Sequence, residues 1–115
     1  QGLERHGERF VNRVFTDRER LRCEGKASRA ACYAKRFAAK EACAKALGLG
    51  IGARVGWHDM TVINLDTGQP TLELSGGALS RLAELTPPGM TARVHLTLSD
   101  EEPYAQAIVL IEAGP

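Results

Sequence analysis

Glu41 and Lys45 are the residues whose types and spacing most directly suggest chemistry. They stand four apart in the run 33–48, with Lys35, Arg36 and Lys40 close by. A helix repeats its faces every 3.6 residues, so Ala34, Ala38, Glu41, Ala42 and Lys45 share one side. A carboxylate set in an apolar stripe needs a compensating cation, because desolvating its charge alone is strongly unfavourable. Lys45 one turn on, Lys40 beside it or a bound metal would serve, and the combination suggests a site for phosphate and metal. The competing reading is a solvated surface pair, Glu four residues ahead of Lys, which contributes only about 0.3–0.5 kcal/mol. The exit of the helix favours the site: Gly48, Gly50 and Gly52 alternate, which exceeds what stopping a helix requires. Bare backbone of this kind lets a ligand approach closely.

These residues need elements to position them. Ser28 predicts the cap of a long central helix that runs to about Leu47 and stops at Gly48. Ahead of it, a first helix is expected over Leu3 to Phe15, with Leu3, Phe10 and Val14 inward and Arg5, Arg9 and Arg13 forming a ridge at i, i+4 and i+8. Thr16-Asp17-Arg18-Glu19 has capping-box form and predicts a second, short helix ending near Gly25. A non-periodic stretch follows the central helix to about His58. Residues 61–65 and 71–75 then read as a hairpin through 66–70, residues 78–85 as a short helix stopped by Pro87-Pro88-Gly89, and 93–99 as an alternating strand. In that strand Val94, Leu96 and Leu98 face the core and His95 faces away. The last strand, about 106–112, is apolar at consecutive positions, as expected when both faces are covered, one of them by another subunit.

Composition bounds the class. With 115 residues, 43% hydrophobic and 25% charged, the expectation is one domain, residues 1–115, with an ordinary core. No apolar run approaches the ~20 residues of a membrane span, and no signal peptide is visible. Three cysteines, Cys23, Cys32 and Cys43, are odd in number and form no Cys-x-x-Cys pair, so buried thiols in a reducing cytoplasm are expected. A net charge of +1 hides an asymmetry: residues 1–45 hold twelve of the fifteen basic residues and six of the fourteen acidic ones. Such an electropositive half suits an acidic protein or a polyphosphate ligand. Its four aromatics sit in no nucleic-acid motif, so no nucleic-acid partner is expected.

The same residues carry a resemblance. Arg36-Phe37-Ala38-Ala39-Lys40-Glu41-Ala42, then Lys45-Ala46-Leu47-Gly48 and Gly50-Ile51-Gly52, resemble the signature of the holo-acyl carrier protein synthases, a 4′-phosphopantetheinyl transferase family. Arg9-Phe10 with Arg13-Val14-Phe15-Thr16, Trp57-His58-Asp59, Gly68-Gln69-Pro70, Leu74-Ser75-Gly76 and His95-Leu96-Thr97-Leu98-Ser99 are similar to further family segments in the same order, so the likeness spans nearly the whole chain.

The resemblance implies an α+β fold, 4′-phosphopantetheinyl transferase-like, with the long central helix packed on a small antiparallel sheet. It implies transfer of phosphopantetheine from coenzyme A to a serine of apo-acyl carrier protein, dependent on Mg²⁺, releasing adenosine 3′,5′-bisphosphate and supporting fatty acid biosynthesis. Glu41 is then a metal ligand and catalytic group, and Lys45 a catalytic residue on the pyrophosphate. Arg36, Lys45, Gly48, Gly50, Pro70 and His95 become coenzyme A contacts, and Arg5, Arg9 and Arg13 the docking ridge for the acidic carrier protein. A homotrimer with active sites between subunits is implied by the single length. Family members open on a short strand whose Asp helps bind the metal. The sequence begins at Gln1 inside the expected first helix, so a chain lacking that strand, with half of the metal site, is expected. Gln69, where the family often has a basic residue, and Asp100, where some members carry a His, also depart from it. A non-catalytic basic module that docks an acidic carrier protein or a nucleotide is the competing class.

Overall fold

The computed structural model describes residues 2–101 and 104–115, and the side chains of 7–99 and 105–115. Three helices come first: α1 (Gly2–Val14), α2 (Asp17–Glu24) and α3 (Arg29–Ala46). After a 3₁₀ turn at Trp57–Asp59 follow strands β1 (Met60–Asn64) and β2 (Pro70–Leu74), helix α4 (Gly76–Leu85), and strands β3 (Thr91–Glu101) and β4 (Tyr104–Gly114). The strands form two antiparallel ribbons, β1 with β2 and β3 with β4. α3 lies across both, in the α+β arrangement expected.

Local sequence explains most boundaries. Thr16 accepts from the Glu19 backbone N–H at 3.4 Å while the Glu19 carboxylate accepts from the Thr16 N–H at 3.0 Å, the reciprocal capping box that starts α2. Ser28 occupies the N-cap position of α3, but its side chain makes no capping bond. At the far end, Gly48 has φ +82° and Gly50 φ +69°, left-handed conformations that a side chain would strain. Gly50 N–H donates to Ala44 O at 3.2 Å, folding the chain back over the last turn of α3.

Two apolar clusters hold these elements. One joins Ala39, Cys43, Ala44 and Leu47 of α3 to Val55, Met60, Val62, Leu72, Ala78 and Leu96. The other joins Val14, Phe15, Cys23, Cys32 and Tyr33, with Phe37 and Trp57 against it. The buried face of α3 therefore carries Cys32, Tyr33, Arg36, Ala39, Lys40 and Cys43. This corrects the phase read from the sequence: Ala34, Glu41 and Lys45 are exposed, and Ala38 and Ala42 half-buried. Alanine-rich helices have little contrast between faces, so the tertiary partners chose which side went in.

A buried ion pair bolts the helices to β1. Lys40 Nζ lies 2.5 Å from Glu19 Oε1 and donates to Val14 O at 2.6 Å, and both side chains are fully buried. Glu19 Oε2 accepts from Val62 N–H at 2.7 Å. Thus the capping carboxylate of α2 also receives α3 and β1, and a charge pair this deep survives because its remaining polar sites are satisfied.

The cysteine expectation needs a correction. Cys23, near the end of α2, and Cys32, in the first turn of α3, form a disulfide with a Cα–Cα distance of 5.5 Å. The reversal through Gly25 stacks the two helix ends, so residues nine apart in sequence meet. Only Cys43 is free and buried, its thiol pushed up to about 11 by burial. Denatured protein should titrate a single thiol without reductant and three after reduction. Chain-entropy arguments for a loop this short predict that reduction lowers stability by about 2–3 kcal/mol. Urea unfolding with and without a dithiol checks this, and equal midpoints would contradict it.

Both faces of the last strand are apolar, as expected, and within one chain they are covered to different extents. Ala107, Val109 and Ile111 pack on the core, but Ile108 and Leu110 on the other face are 68% and 58% exposed.

Candidate active site

Several of the candidate residues line two separate concavities along α3. In the first, of about 200 Å³, Glu41 and Lys45 meet Gly50, Ile51 and Trp57. Helical spacing puts the carboxylate and ammonium one turn apart on the rim. The folded-back glycine exit forms one wall. Trp57 also lines the concavity, stacked on Phe37 with ring centroids 5.2 Å apart. Phe37 in turn contacts Phe10 of α1 at 5.6 Å. The aromatic chain thus fixes the 3₁₀ turn beside Glu41.

The second concavity, of about 390 Å³, lies toward the N-terminus of α3. Arg36 and Pro70 line it with Arg22, Lys26, Lys35 and Asn64. Arg36 is buried; its Nη1 donates to Cys32 O at 3.3 Å and its Nη2 to Asn64 Oδ1 at 3.2 Å. Burial pulls its pKa below the usual guanidinium value, with Glu19 opposing. Its Nε finds no hydrogen-bond partner among the described residues. A buried cationic donor without a partner is costly, and the anion-binding character of the concavity comes from the charge of Arg22, Lys26, Lys35 and Arg36 along its lining. Arg22, Lys26 and Lys35 were not singled out as site residues from the sequence; Lys35 adjoins Arg36 on α3, and the turn that stacks α2 on α3 brings Arg22 and Lys26 to it.

Other predicted residues lie elsewhere. Gly48 sits at the end of α3 against Arg81, where an added Cβ would stand 3.4 Å from Nη2. His95 is exposed on β3 and its Nε2 lies 2.8 Å from Glu112 Oε1 across the ribbon, in neither concavity. Arg9 and Arg13 are exposed on α1, with Phe10 between them 40% exposed. The Arg5 side chain lies outside the described residues. Lys40, considered from the sequence as a cation for Glu41, points inward to Glu19 instead. Among the described residues no three His, Cys, Asp or Glu side chains cluster as a metal cage.

This fold and this helix define a class. A family model described as the 4′-phosphopantetheinyl transferase superfamily matches residues 1–108, and the chain belongs to that family. A holo-[acyl-carrier-protein] synthase of Methylobacterium radiotolerans is 65% identical over 113 residues, covering 98% of this chain and 83% of the relative. The Neisseria meningitidis holo-[acyl-carrier-protein] synthase crystal structure superposes with a TM-score of 0.82 at 34% identity, covering 96% of this chain and 85% of that one. That of Bacillus anthracis, in complex with CoA (3′,5′-ADP), gives 0.73 at 33% identity, covering 95% and 84%. The enzyme class is therefore a phosphopantetheinyl transferase of the holo-[acyl-carrier-protein] synthase kind, and the reading as a non-catalytic basic module is set aside. Among the described residues no helix is long and apolar enough to cross a membrane.

Proposed function

We propose that this chain transfers 4′-phosphopantetheine from coenzyme A to a serine of an apo-acyl carrier protein, with Mg²⁺, and serves fatty acid biosynthesis. The observation that carries the reading is that one helix, α3, contributes a carboxylate and an ammonium, Glu41 and Lys45, to one concavity and Lys35 and Arg36 to a second, basic one lined also by Arg22 and Lys26. Both the matched family and the CoA complex of the Bacillus anthracis relative support it.

The basic concavity, with Arg36, Lys26 and Pro70, suits the phosphates of the adenosine end. Gly50, which lines the concavity of Glu41, offers bare backbone to the molecule as it passes. Lys45 holds a pyrophosphate oxygen and stabilises the charge that builds on the leaving phosphate. Glu41 orients the attacking serine or accepts its proton as the serine oxygen bonds to the β-phosphorus and adenosine 3′,5′-bisphosphate departs. A single exposed carboxylate beside phosphates fits Mg²⁺, which keeps several waters and needs few protein ligands, so Glu41 would hold it. When bound, the ion would neutralise phosphate charge. Arg9 and Arg13, exposed on α1, form a basic ridge for the acidic carrier protein.

The test is intact-mass analysis of apo-acyl carrier protein incubated with this chain, coenzyme A and Mg²⁺. Gain of one phosphopantetheine group supports the reading; no gain, with the carrier protein competent toward another transferase, overturns it.

The same reading includes a homotrimer with sites between subunits. Its support is the apolar pair Ile108 and Leu110, left exposed on an eleven-residue strand. His95 stands opposite Leu110 in register, so assembly through this ribbon would carry it toward a neighbouring subunit's coenzyme site. Light scattering at micromolar concentration should give three times the chain mass, and a monomer would count against assembly. The cytoplasm is proposed as its location on the substrates the reaction needs, since the cysteine argument for it falls with the Cys23–Cys32 bond.

A further inference from the structure

We propose that Arg81, on α4, is a positioning residue for the coenzyme A site, acting through loop 48–54; the inference rests on the reading of that site as a phosphopantetheinyl transfer centre. The last carbonyls of a helix have no partners within it. Leu47, the C-cap of α3, is one such residue, and its carbonyl accepts from Arg81 Nε at 2.9 Å. The same guanidinium lies over the next peptide, where an added Cβ on Gly48 would stand 3.4 Å from Nη2. Its Nη1 donates to Glu84 Oε1 at 3.2 Å, and Glu84 Oε2 accepts from Arg54 Nη2 at 2.5 Å. Gly77 at the start of α4 also brings its backbone against the Arg54 carbonyl, where a Cβ would lie 1.6 Å away.

α4 therefore grips the loop at both ends. Between the grips lie Gly50 and Ile51, which line the concavity of Glu41 and Lys45. A segment with glycine at 48, 50 and 52 loses much conformational freedom when it is ordered. Left alone it would sample many shapes, and the forked, charge-assisted bonds from Arg81 select one. Because Arg81 acts through the loop, its loss should weaken coenzyme binding and leave the phosphoryl step itself intact.

Arg81→Ala should raise the KM for coenzyme A about tenfold, with kcat within about twofold and the KM for carrier protein unchanged. Arg81→Lys should recover part of the loss, since an ammonium can still donate to Leu47 O but cannot fork to Glu84. Hydrogen exchange of loop 48–54 should quicken in Arg81→Ala while the middle of α3 stays protected. An unchanged KM for coenzyme A overturns the positioning role even if exchange quickens, as does a fall in kcat with unchanged KM. Should Arg81→Ala fail to fold by circular dichroism, Glu84→Gln, which removes the anion shared by Arg54 and Arg81 and keeps the Arg81–Leu47 bond, should raise that KM about threefold, and no rise overturns the proposal. If the wild-type chain transfers nothing, the functional reading fails separately, and the exchange measurement still judges the clamp: equal rates in wild type and Arg81→Ala overturn it.

Discussion

Glu41→Gln should lower the rate of phosphopantetheine transfer by about a thousandfold while the melting temperature stays within a degree or two of wild type. The two halves of that expectation have separate grounds. Glu41 is exposed on the outer face of α3 and lines an open concavity, so no packing depends on its charge. Its chemical task, as proposed, does depend on the charge. An amide of the same shape neither accepts a proton from the attacking serine nor counts as an anionic ligand for Mg²⁺. Intact-mass assays over time, run beside thermal melts, separate the two effects. A variant with near-normal turnover would remove Glu41 from the reaction, and one that melted early would make it structural.

The second large effect concerns a residue next to Glu41 in sequence and opposite to it in role. Lys40→Met should destabilise the fold by about 3–5 kcal/mol, because it leaves the Glu19 carboxylate buried without its cation. Glu19 is fully buried, and apart from Lys40 it accepts from the Thr16 and Val62 backbone N–H groups. Burial pulls the Lys40 pKa below the usual ammonium value, with Glu19 opposing that shift. Pairing Lys40→Met with Glu19→Gln should recover much of the loss, since the amide oxygen can still accept one of these bonds and no charge remains buried. Urea unfolding of the two single variants and the double one measures the coupling. If the losses simply add, the pair does not act as a unit.

Adjacent residues on one helix thus divide into an exposed residue, proposed for the site, and a buried one that holds the scaffold, and the sequence left that division open. Lys40 and Glu41 belong to the same run, both charged, both among alanines. Which of them faces inward depends on Glu19, 21 residues earlier, and on Val62, 22 residues later. No local period reports contacts of that range.

Much else was legible from residues alone, wherever the determinant is local. Thr16 and Glu19 marked the start of α2, because a capping box is built within four residues. Gly48 and Gly50 marked the end of α3, since left-handed backbone selects glycine. Strict alternation over 93–99 put Val94, Leu96 and Leu98 on the core and His95 outside. Family likeness along the chain carried the enzyme class. The tertiary structure decided the rest. It set the rotational phase of α3, which its alanines could not specify. It brought Cys23 to Cys32 by stacking two helix ends, and Arg22 and Lys26 to Arg36 by the same turn. It turned Arg81 of α4 toward the carbonyl of Leu47, 34 residues away. The physical reason is common to all of these: capping, periodicity and glycine conformation are properties of a few consecutive residues, whereas burial phase, ion pairing and pocket lining arise only when separate elements share one space.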